Sequence, residues 1–470
     1  MAGSPRTRRR RPRTWIPIVL IAVLLGGGYV TADVYDIVPG PLTLTEPWPD
    51  PAPFPSVSPG APQQVKLLEL DPTAAGPAPA DVDAAIGSFV GDARVGAAGV
   101  LVMDLLSGDV IGAHEAAEAR VPASTTKVLT AVAALQAAGP GYRFTTSVVS
   151  GSAEDPDAIT LVAGGDLTLA AGAGDPDEVI GHAGLADLAD EVAAALRENG
   201  RSSVSRVVLD ESRWTGPRLA PRWDETDLAG GWAMPMAPIA VDMGQRTDGA
   251  RRSGDPGADA LTAFASALAD AGITQESEPV TGRAAGGDEL GSVRSAPLAD
   301  IVAHTLIVSE NILAEGLGRL VATETGAEPS FAGAGTAVLA QLTGLGVDTA
   351  GVELSDSSGL SSANQITPTA LAQTLRLAAS PQHPQLLAAI RGLPVAGLEG
   401  TLSARFTGGP AAGLVAAKTG SLRATVTMAG LVHTAADRVL VVVAMADEVS
   451  GGLDPTRAAI DDFFTEMTRL

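Results

Sequence analysis

Lysine is rare in this chain, and two of its lysines lie in short patterns that could do chemistry. Of the 31 basic residues only three are lysines, namely Lys66, Lys127 and Lys418. Arginine stays protonated in proteins, whereas a buried lysine can lose its proton. A lysine kept in an arginine-rich background is therefore worth testing for a catalytic role.

Lys127 follows Ser124 by three residues in the stretch PASTTKVLTAVAALQAAG. The initial proline, the Ala-rich apolar run and the final glycine predict a helix. Residues three apart share a helix face, and a helix N-terminus favours a developing alkoxide. A neutral, desolvated lysine can take the serine proton, so the pair predicts a nucleophile activated without histidine. The alternative is a helix-capping serine beside an exposed lysine.

Lys418 begins the triplet Lys418-Thr419-Gly420 in the strand-like run LVAAKTGSL, and two more strand-like runs follow it. On an edge strand the lysine could meet a carboxylate, and the threonine could hydrogen-bond it. The glycine would let a substrate backbone approach closely. The alternative interpretation is a β-turn.

Two Ser-x-Asn patterns could supply further polar groups. Ser309-Glu310-Asn311 lies between two apolar helical runs, and Ser362-Ala363-Asn364 lies in a polar, glycine-containing loop. We favour Ser309 and Asn311 because a short turn between helices could present both side chains to a cleft.

Other chemistries find no support in the sequence. There are no cysteines, no G-x-S-x-G, no H-E-x-x-H and no P-loop pattern, and the five histidines are scattered. We therefore predict no metal and no cofactor. The net charge is −23, and six arginines lie within residues 6–13, so the rest of the chain is more acidic still. This acidic remainder of the chain, the body of the protein, should not bind nucleic acid.

The pattern of the N-terminal residues predicts a membrane segment that follows a basic tail. We predict a basic cytoplasmic tail in residues 1–14 and an apolar segment in residues 15–32 that is just long enough to cross a bilayer. The arginines would keep the tail in the cytoplasm and place the body outside. We favour an uncleaved anchor; a signal cut after Val30-Thr31-Ala32, giving a secreted protein, is the alternative. Residues 33–80 are Pro-rich and predict a stiff linker.

The remaining chain alternates between strand-like and helical runs. Strands near both ends with helices between them predict an α+β domain whose sheet combines N- and C-terminal strands. We assign residues 81–143 and 296–470 to this catalytic domain and residues 144–295, a mixed region, to an insertion.

S-x-x-K, S-x-N and K-T-G in this order form the signature of the penicillin-recognising serine acyltransferases. The words VPASTTKVLTAVAAL, GLEGTLSARF and VAAKTGSL resemble the class C low-molecular-mass penicillin-binding proteins, which are D-alanyl-D-alanine carboxypeptidases and endopeptidases of the cell wall. The resemblance covers residues 81–470. It implies a penicillin-binding/β-lactamase-like transpeptidase domain, an antiparallel sheet flanked by helices, with an inserted mixed α/β region between the first and second motifs.

The resemblance also implies roles. Stem peptides ending in D-Ala-D-Ala would be the substrate and β-lactams the inhibitors, with Ser124 as nucleophile, Lys127 as base and Ser309 as proton relay. Substrate contacts would come from Asn311, Lys418, Thr419, Gly420 and Ser421, and the backbone N–H groups of Ser124 and Ser421 would form the oxyanion hole.

Three departures from the family pattern leave alternatives open. Ser357 stands where the family has glycine, Ser362 where it has arginine, and Asp447 where it tends to have asparagine. These changes put the recognition of stem-peptide side chains in question. The alternatives are a β-lactamase-like hydrolase, which would need a dedicated deacylating base, and a catalytically weak wall-binding scaffold.

Overall fold

The structure is a computed structural model that describes residues 25–31, 74–151, 155–246, 251–284 and 286–470. The chain divides into two units, residues 1–69 and residues 70–470.

Little of the predicted membrane segment is described. Residues 25–31 are helical, and the rest of segment 15–32 lies outside the described residues, as do tail 1–14 and the linker up to residue 73. Among the residues that the structure describes, every helix is too short or too polar to span a bilayer.

The secondary structure of the second unit follows the alternation of the sequence. The strands are β1 (Ala97–Asp104), β2 (Val110–His114), β3 (Thr145–Ser150), β4 (Ile159–Val162), β5 (Ser203–Val204), β6 (Val207–Asp210), β7 (Thr274–Gln275), β8 (Val280–Gly282), β9 (Glu289–Arg294), β10 (Val415–Leu422), β11 (Thr425–His433) and β12 (Val439–Asp447). The helices are α1 (Pro79–Val90), α2 (Thr126–Ala138), α3 (Leu185–Glu198), α4 (Glu225–Ala229), α5 (Pro256–Asp270), α6 (Leu298–Ile307), α7 (Asn311–Glu324), α8 (Phe331–Gly344), α9 (Pro368–Ala378), α10 (Leu387–Arg391) and α11 (Leu453–Met467).

The first sheet is antiparallel and has the order β10-β11-β12-β1-β2. The N-terminal strand β1 pairs with the C-terminal strand β12, with Ala97 opposite Asp447. The predicted antiparallel sheet of N- and C-terminal strands is therefore confirmed. Strand β10, which carries the Lys-Thr-Gly triplet, lies at an edge of this sheet.

Helices cover both faces of the first sheet, which is why its central strands are apolar throughout. Along β12, Val441 and Val443 belong to the core that contains α2, because side chains alternate between faces. Val442 faces the opposite core, where Phe89 of α1 and Phe463 of α11 stack with ring centroids 5.0 Å apart. Helix α2 is thus held centrally against one face of the sheet.

The inserted region between the first two motifs builds its own mixed sheet, in the order β8-β6-β4-β3-β9. Strand β3 pairs antiparallel with β4 and β9, whereas β4, β6 and β8 run parallel. Strands β5 and β7 form a separate parallel pair. Helices α3 and α5 supply apolar side chains such as Leu188 and Phe264 to this core. The predicted mixed α/β insertion is confirmed.

Candidate active site

Ser124 lies at the start of α2, on the 3₁₀ turn Ala123–Thr125. Ala123 has a φ of +48°, which is uncommon for a residue with a side chain. The Thr126 hydroxyl donates a 2.9 Å hydrogen bond to the Ala123 carbonyl and helps to hold this turn. Local strain of this kind persists where the surrounding structure enforces it, typically at functional sites.

Lys127 is fully buried, and its amine contacts three oxygen atoms. Its Nζ lies 3.0 Å from Ser124 Oγ, 2.6 Å from Asn311 Oδ1 and 2.7 Å from the carbonyl oxygen of Ser358. The amide oxygen and the carbonyl can only accept. A neutral amine has two N–H groups for these two acceptors, and its lone pair remains for the hydroxyl of Ser124. The geometry therefore suits proton abstraction from Ser124.

Burial lowers the pKa of Lys127 to about 8, although nearby carboxylates oppose the shift. The opposing groups, in decreasing order of effect, are Asp356, Glu310 and Glu315. A general base works best when its pKa is close to the working pH. An arginine at this position could not provide a neutral base, because its guanidinium stays protonated.

Ser309 and Asn311 lie at the break between α6 and α7, the short turn that the sequence predicted. Ser309 has a φ of +62°, which turns the chain sharply between the two helices. Its Oγ lies 2.9 Å from Lys418 Nζ, while Asn311 meets Lys127 as described above. This one turn thus delivers a hydroxyl to one lysine and an amide to the other.

Lys418 is also fully buried, although it lies on the edge strand β10. Besides Ser309, its Nζ donates to the carbonyl of Thr419 at 2.8 Å. Burial holds the pKa of Lys418 well below its usual range, and the positive charge of Lys127 adds to the effect. The hydroxyl of the neighbouring Thr419 lies 2.8 Å from the hydroxyl of Thr401. Thr401 belongs to GLEGTLSARF, one of the segments that resemble the family.

Gly420 lets β10 pack closely against the nucleophile turn, the 3₁₀ turn Ala123–Thr125 that carries Ser124. A Cβ at Gly420 would lie 2.2 Å from Thr427 Oγ1 and 2.9 Å from the carbonyl oxygen of Pro122. Thr427 itself donates a 2.7 Å hydrogen bond to that carbonyl. The glycine therefore sets how closely the third motif approaches Ser124. Ser421 follows on the same strand and is exposed.

The second Ser-x-Asn pattern has a different location. Asn364 is buried and bonds Asp356 through its Nδ2 at 2.7 Å, and Ser362 is exposed. The structure therefore brings Ser309 and Asn311, rather than Ser362 and Asn364, to the two lysines.

Sequence reasoning missed the groups that hold the loop beside Lys127. Glu315 is fully buried on α7, and its carboxylate accepts the N–H groups of Ser357 and Ser358, the latter at 2.9 Å. Burial raises the pKa of Glu315 to about 7. Asp356 in the same loop accepts from Trp223 Nε1 at 2.9 Å. The available signal was the spacing of Glu315, one helical turn after Asn311.

The three departures from the family pattern have distinct surroundings. Ser357 packs against Gly318, where an added Cβ would lie 1.9 Å from the serine Oγ. The carboxylate of Asp447 accepts a 2.6 Å hydrogen bond from Arg120. Ser362 lines a cavity of about 500 Å³ together with Asp447 and Leu422. Two of the three changes therefore border one cavity that also contacts the end of β10.

Metal chemistry has no obvious ligands in the described part of the chain, where no group of three or more His, Asp and Glu side chains is placed to bind an ion.

The fold and the three assembled motifs define a penicillin-binding or β-lactamase-like protein. Penicillin binding protein 4 (dacB) from Haemophilus influenzae has the same fold, with a TM-score of 0.69 and 21% identity over 82% of this chain and 99% of that one. The structure of the same protein with a β-lactam bound gives a TM-score of 0.61.

The sequence identifies the family. The D-Ala-D-Ala carboxypeptidase 3 (S13) family matches residues 82–248 and 245–467, and the chain belongs to it. It is 39% identical to carboxypeptidase DacB of Mycolicibacterium smegmatis over 76% of this chain and 79% of that one. It is 35% identical to carboxypeptidase Rv3627c of Mycobacterium tuberculosis over 87% and 88% of the two chains. The protein is therefore a serine-type D-Ala-D-Ala carboxypeptidase.

Proposed function

We propose that the protein cleaves the terminal D-Ala-D-Ala bond of peptidoglycan stem peptides through an acyl-enzyme on Ser124. The observation that carries this proposal is the 3.0 Å contact between Ser124 Oγ and Lys127 Nζ, whose two other neighbours are both acceptors. Family membership supports the choice of substrate.

In the first step, neutral Lys127 takes the hydroxyl proton as Ser124 Oγ forms a bond to the penultimate D-Ala carbonyl carbon. The backbone N–H groups of Ser124 and Ser421 would stabilise the resulting oxyanion. The peptide C–N bond then breaks, and the proton taken up by Lys127 passes through Ser309, which bonds Lys418, to the amine of the terminal D-Ala, so that Lys127 returns to its neutral form. Water later hydrolyses the ester and restores the serine hydroxyl.

The substrate carboxylate has a second effect through Lys418. Burial and the neighbouring charge of Lys127 both lower the pKa of Lys418 and so disfavour its charged form. A carboxylate held by Lys418 and Thr419 would favour its ammonium form. Two neighbouring ammonium groups repel each other, so Lys127 would then give up its proton more readily. Binding of the correct chain end would thus activate the base.

The acyl-enzyme can be tested with penicillin. We expect intact-mass spectrometry to show one adduct on the soluble body, peptide mapping to place it on Ser124, and Ser124→Ala to remove it. The release of D-Ala from a D-Ala-D-Ala peptide tests the hydrolysis itself. The cleavage of a cross-linked dimer into two monomers tests endopeptidase action. An adduct on Ser309, or no adduct with any β-lactam, would refute the assignment. Rapid, complete turnover of penicillin would favour a β-lactamase instead.

We also propose that residues 1–32 tether the body to the outer side of the membrane, because an arginine cluster precedes an uncharged apolar run. Carbonate-washed membranes should retain the protein, and protease added to spheroplasts should remove its body. A mature N-terminus at Asp33 would show cleavage and exclude the anchor.

A further inference from the structure

One arginine of the inserted region, Arg252, contacts the second motif. Its Nη2 donates to both carboxylate oxygens of Glu310, at 3.0 and 2.8 Å. Its Nε donates to the carbonyl of Gly231 at 2.7 Å, and its Nη1 to that of Met243 at 2.8 Å. The Arg252 and Glu310 side chains are only 12% and 11% exposed, so this pair is largely shielded from solvent. Charge-assisted hydrogen bonds in such surroundings are strong.

Glu310 is the central residue of the Ser-x-Asn turn. Its Oε1 also accepts the backbone N–H of Ile312 at 2.9 Å, which caps the start of α7. The residue before it, Ser309, has the positive φ noted above. A turn in this conformation must be held by its neighbours. Arg252 therefore holds the carboxylate that fixes the turn.

A second contact joins the loop at Gly231 and Trp232 to the Ser-x-Asn turn. The Nδ2 of Asn311 donates to the carbonyl of Trp232 at 2.9 Å, next to the Gly231 carbonyl that Arg252 holds. Asn311 uses its other amide atom to accept from Lys127. The position of the loop at Gly231 and Trp232 thus bears directly on the environment of the catalytic base.

We propose that Arg252 is a positioning residue for the reaction, fixing Glu310 so that Ser309 faces Lys418 and Asn311 faces Lys127. In this view the inserted region is part of the catalytic apparatus as well as a separate layer of the fold. The effect on rate rests on the proposed acyl-enzyme function.

The surrounding charges give this proposal a pH signature. Lys127 faces Glu310, Glu315, Asp356 and Lys418, and Glu310 faces Arg252, Asp242 and His304. The Glu310 carboxylate favours the ammonium form of Lys127, and Arg252 offsets that carboxylate. Loss of the Arg252 charge should raise the pH at which Lys127 becomes neutral. Loss of the Glu310 charge should lower it.

The test is the second-order acylation rate with fluorescent penicillin between pH 5.5 and 9.5, a range of about four units chosen to bracket the Lys127 titration. For the wild type the rate should rise with pH and level off above about 8. Arg252→Met should reduce the plateau by about tenfold to a hundredfold and move the rise to higher pH. Glu310→Gln should move it to lower pH. Arg252→Lys should keep the wild-type pH profile but lose rate, because an ammonium cannot reproduce the guanidinium fork.

Arg218→Met is the matched control. Arg218 also belongs to the inserted region, and it donates to the carbonyl of Met236 and to Asp255, without contacting a motif. It should leave rate and pH profile unchanged. A plateau for Arg252→Met within about twofold of wild type, or an unmoved rise, overturns the proposal. If Arg252→Met does not fold, the Glu310→Gln profile decides, and an unmoved rise again overturns it. A wild type that is never acylated refutes the proposed function itself, before any variant is compared.

Discussion

Lys127→Arg is expected to lower acylation by both peptide and penicillin about 10²- to 10⁴-fold, the usual contribution of a general base. The substitution keeps the positive charge but removes the neutral form. It also puts a bulky guanidinium where Nζ now meets Ser124, Asn311 and Ser358. The measurement is the second-order acylation rate of a variant shown by circular dichroism to be folded.

Lys418→Arg is the informative comparison. Lys418 is assigned to carboxylate binding, which a guanidinium can also perform with different geometry, so the loss should be smaller and fall mainly on carboxylate-bearing substrates. A permanent charge there would also lower the pKa of Lys127 and move the rise in rate to lower pH. Equal losses in both variants would contradict the division of roles. If Lys127→Arg retained most of its activity, the base would have to be reassigned, with Lys418 acting through Ser309 as the first candidate.

Gly359→Ala and Gly420→Ala are expected to reduce acylation on the order of a hundredfold, because each would displace the nucleophile turn. A Cβ at Gly359 would lie 1.8 Å from the Ala123 carbonyl oxygen, and Gly359 has a φ of +83°, which disfavours any side chain. At Gly420 the clash is with Thr427 and Pro122, as described above. Overpacking of this kind also costs about 1–3 kcal/mol of stability.

A glycine substitution with a comparable steric clash elsewhere in the structure serves as the control. It distinguishes a loss of activity caused by general destabilisation from one caused by displacement of Ser124. A Cβ at Gly164 would lie 1.6 Å from the Thr145 carbonyl oxygen, inside the inserted region. Gly164→Ala should therefore lower the melting temperature in the same way, while the folded fraction keeps its acylation rate. If all three variants lost rate in proportion to stability, close packing at Ser124 would not be the cause.

Much of this protein can be predicted from sequence because the relevant signals are local. Ser124 and Lys127 are three residues apart at a predicted helix start, and that spacing predicts that their side chains share one face. The apolar runs of the last hundred residues became β10, β11 and β12. The break at Ser309 was readable as a polar triplet between two helical patterns. Family membership follows from the same words.

The surroundings of the lysines depend on tertiary structure. Two groups that contact Lys127 are distant from it in the sequence. Asn311 is 184 residues away from Lys127, and Ser358 is 231 residues away. The Ser358 contact is a backbone carbonyl, which every residue possesses and no pattern can mark. Full burial of Lys127 and Lys418, and with it their lowered pKa values, arises only when sheet, helices and loop pack together. The Arg252–Glu310 pair joins two regions whose charges look like ordinary surface residues in the sequence. Sequence thus determines which groups can react, and three-dimensional packing determines their protonation and their orientation.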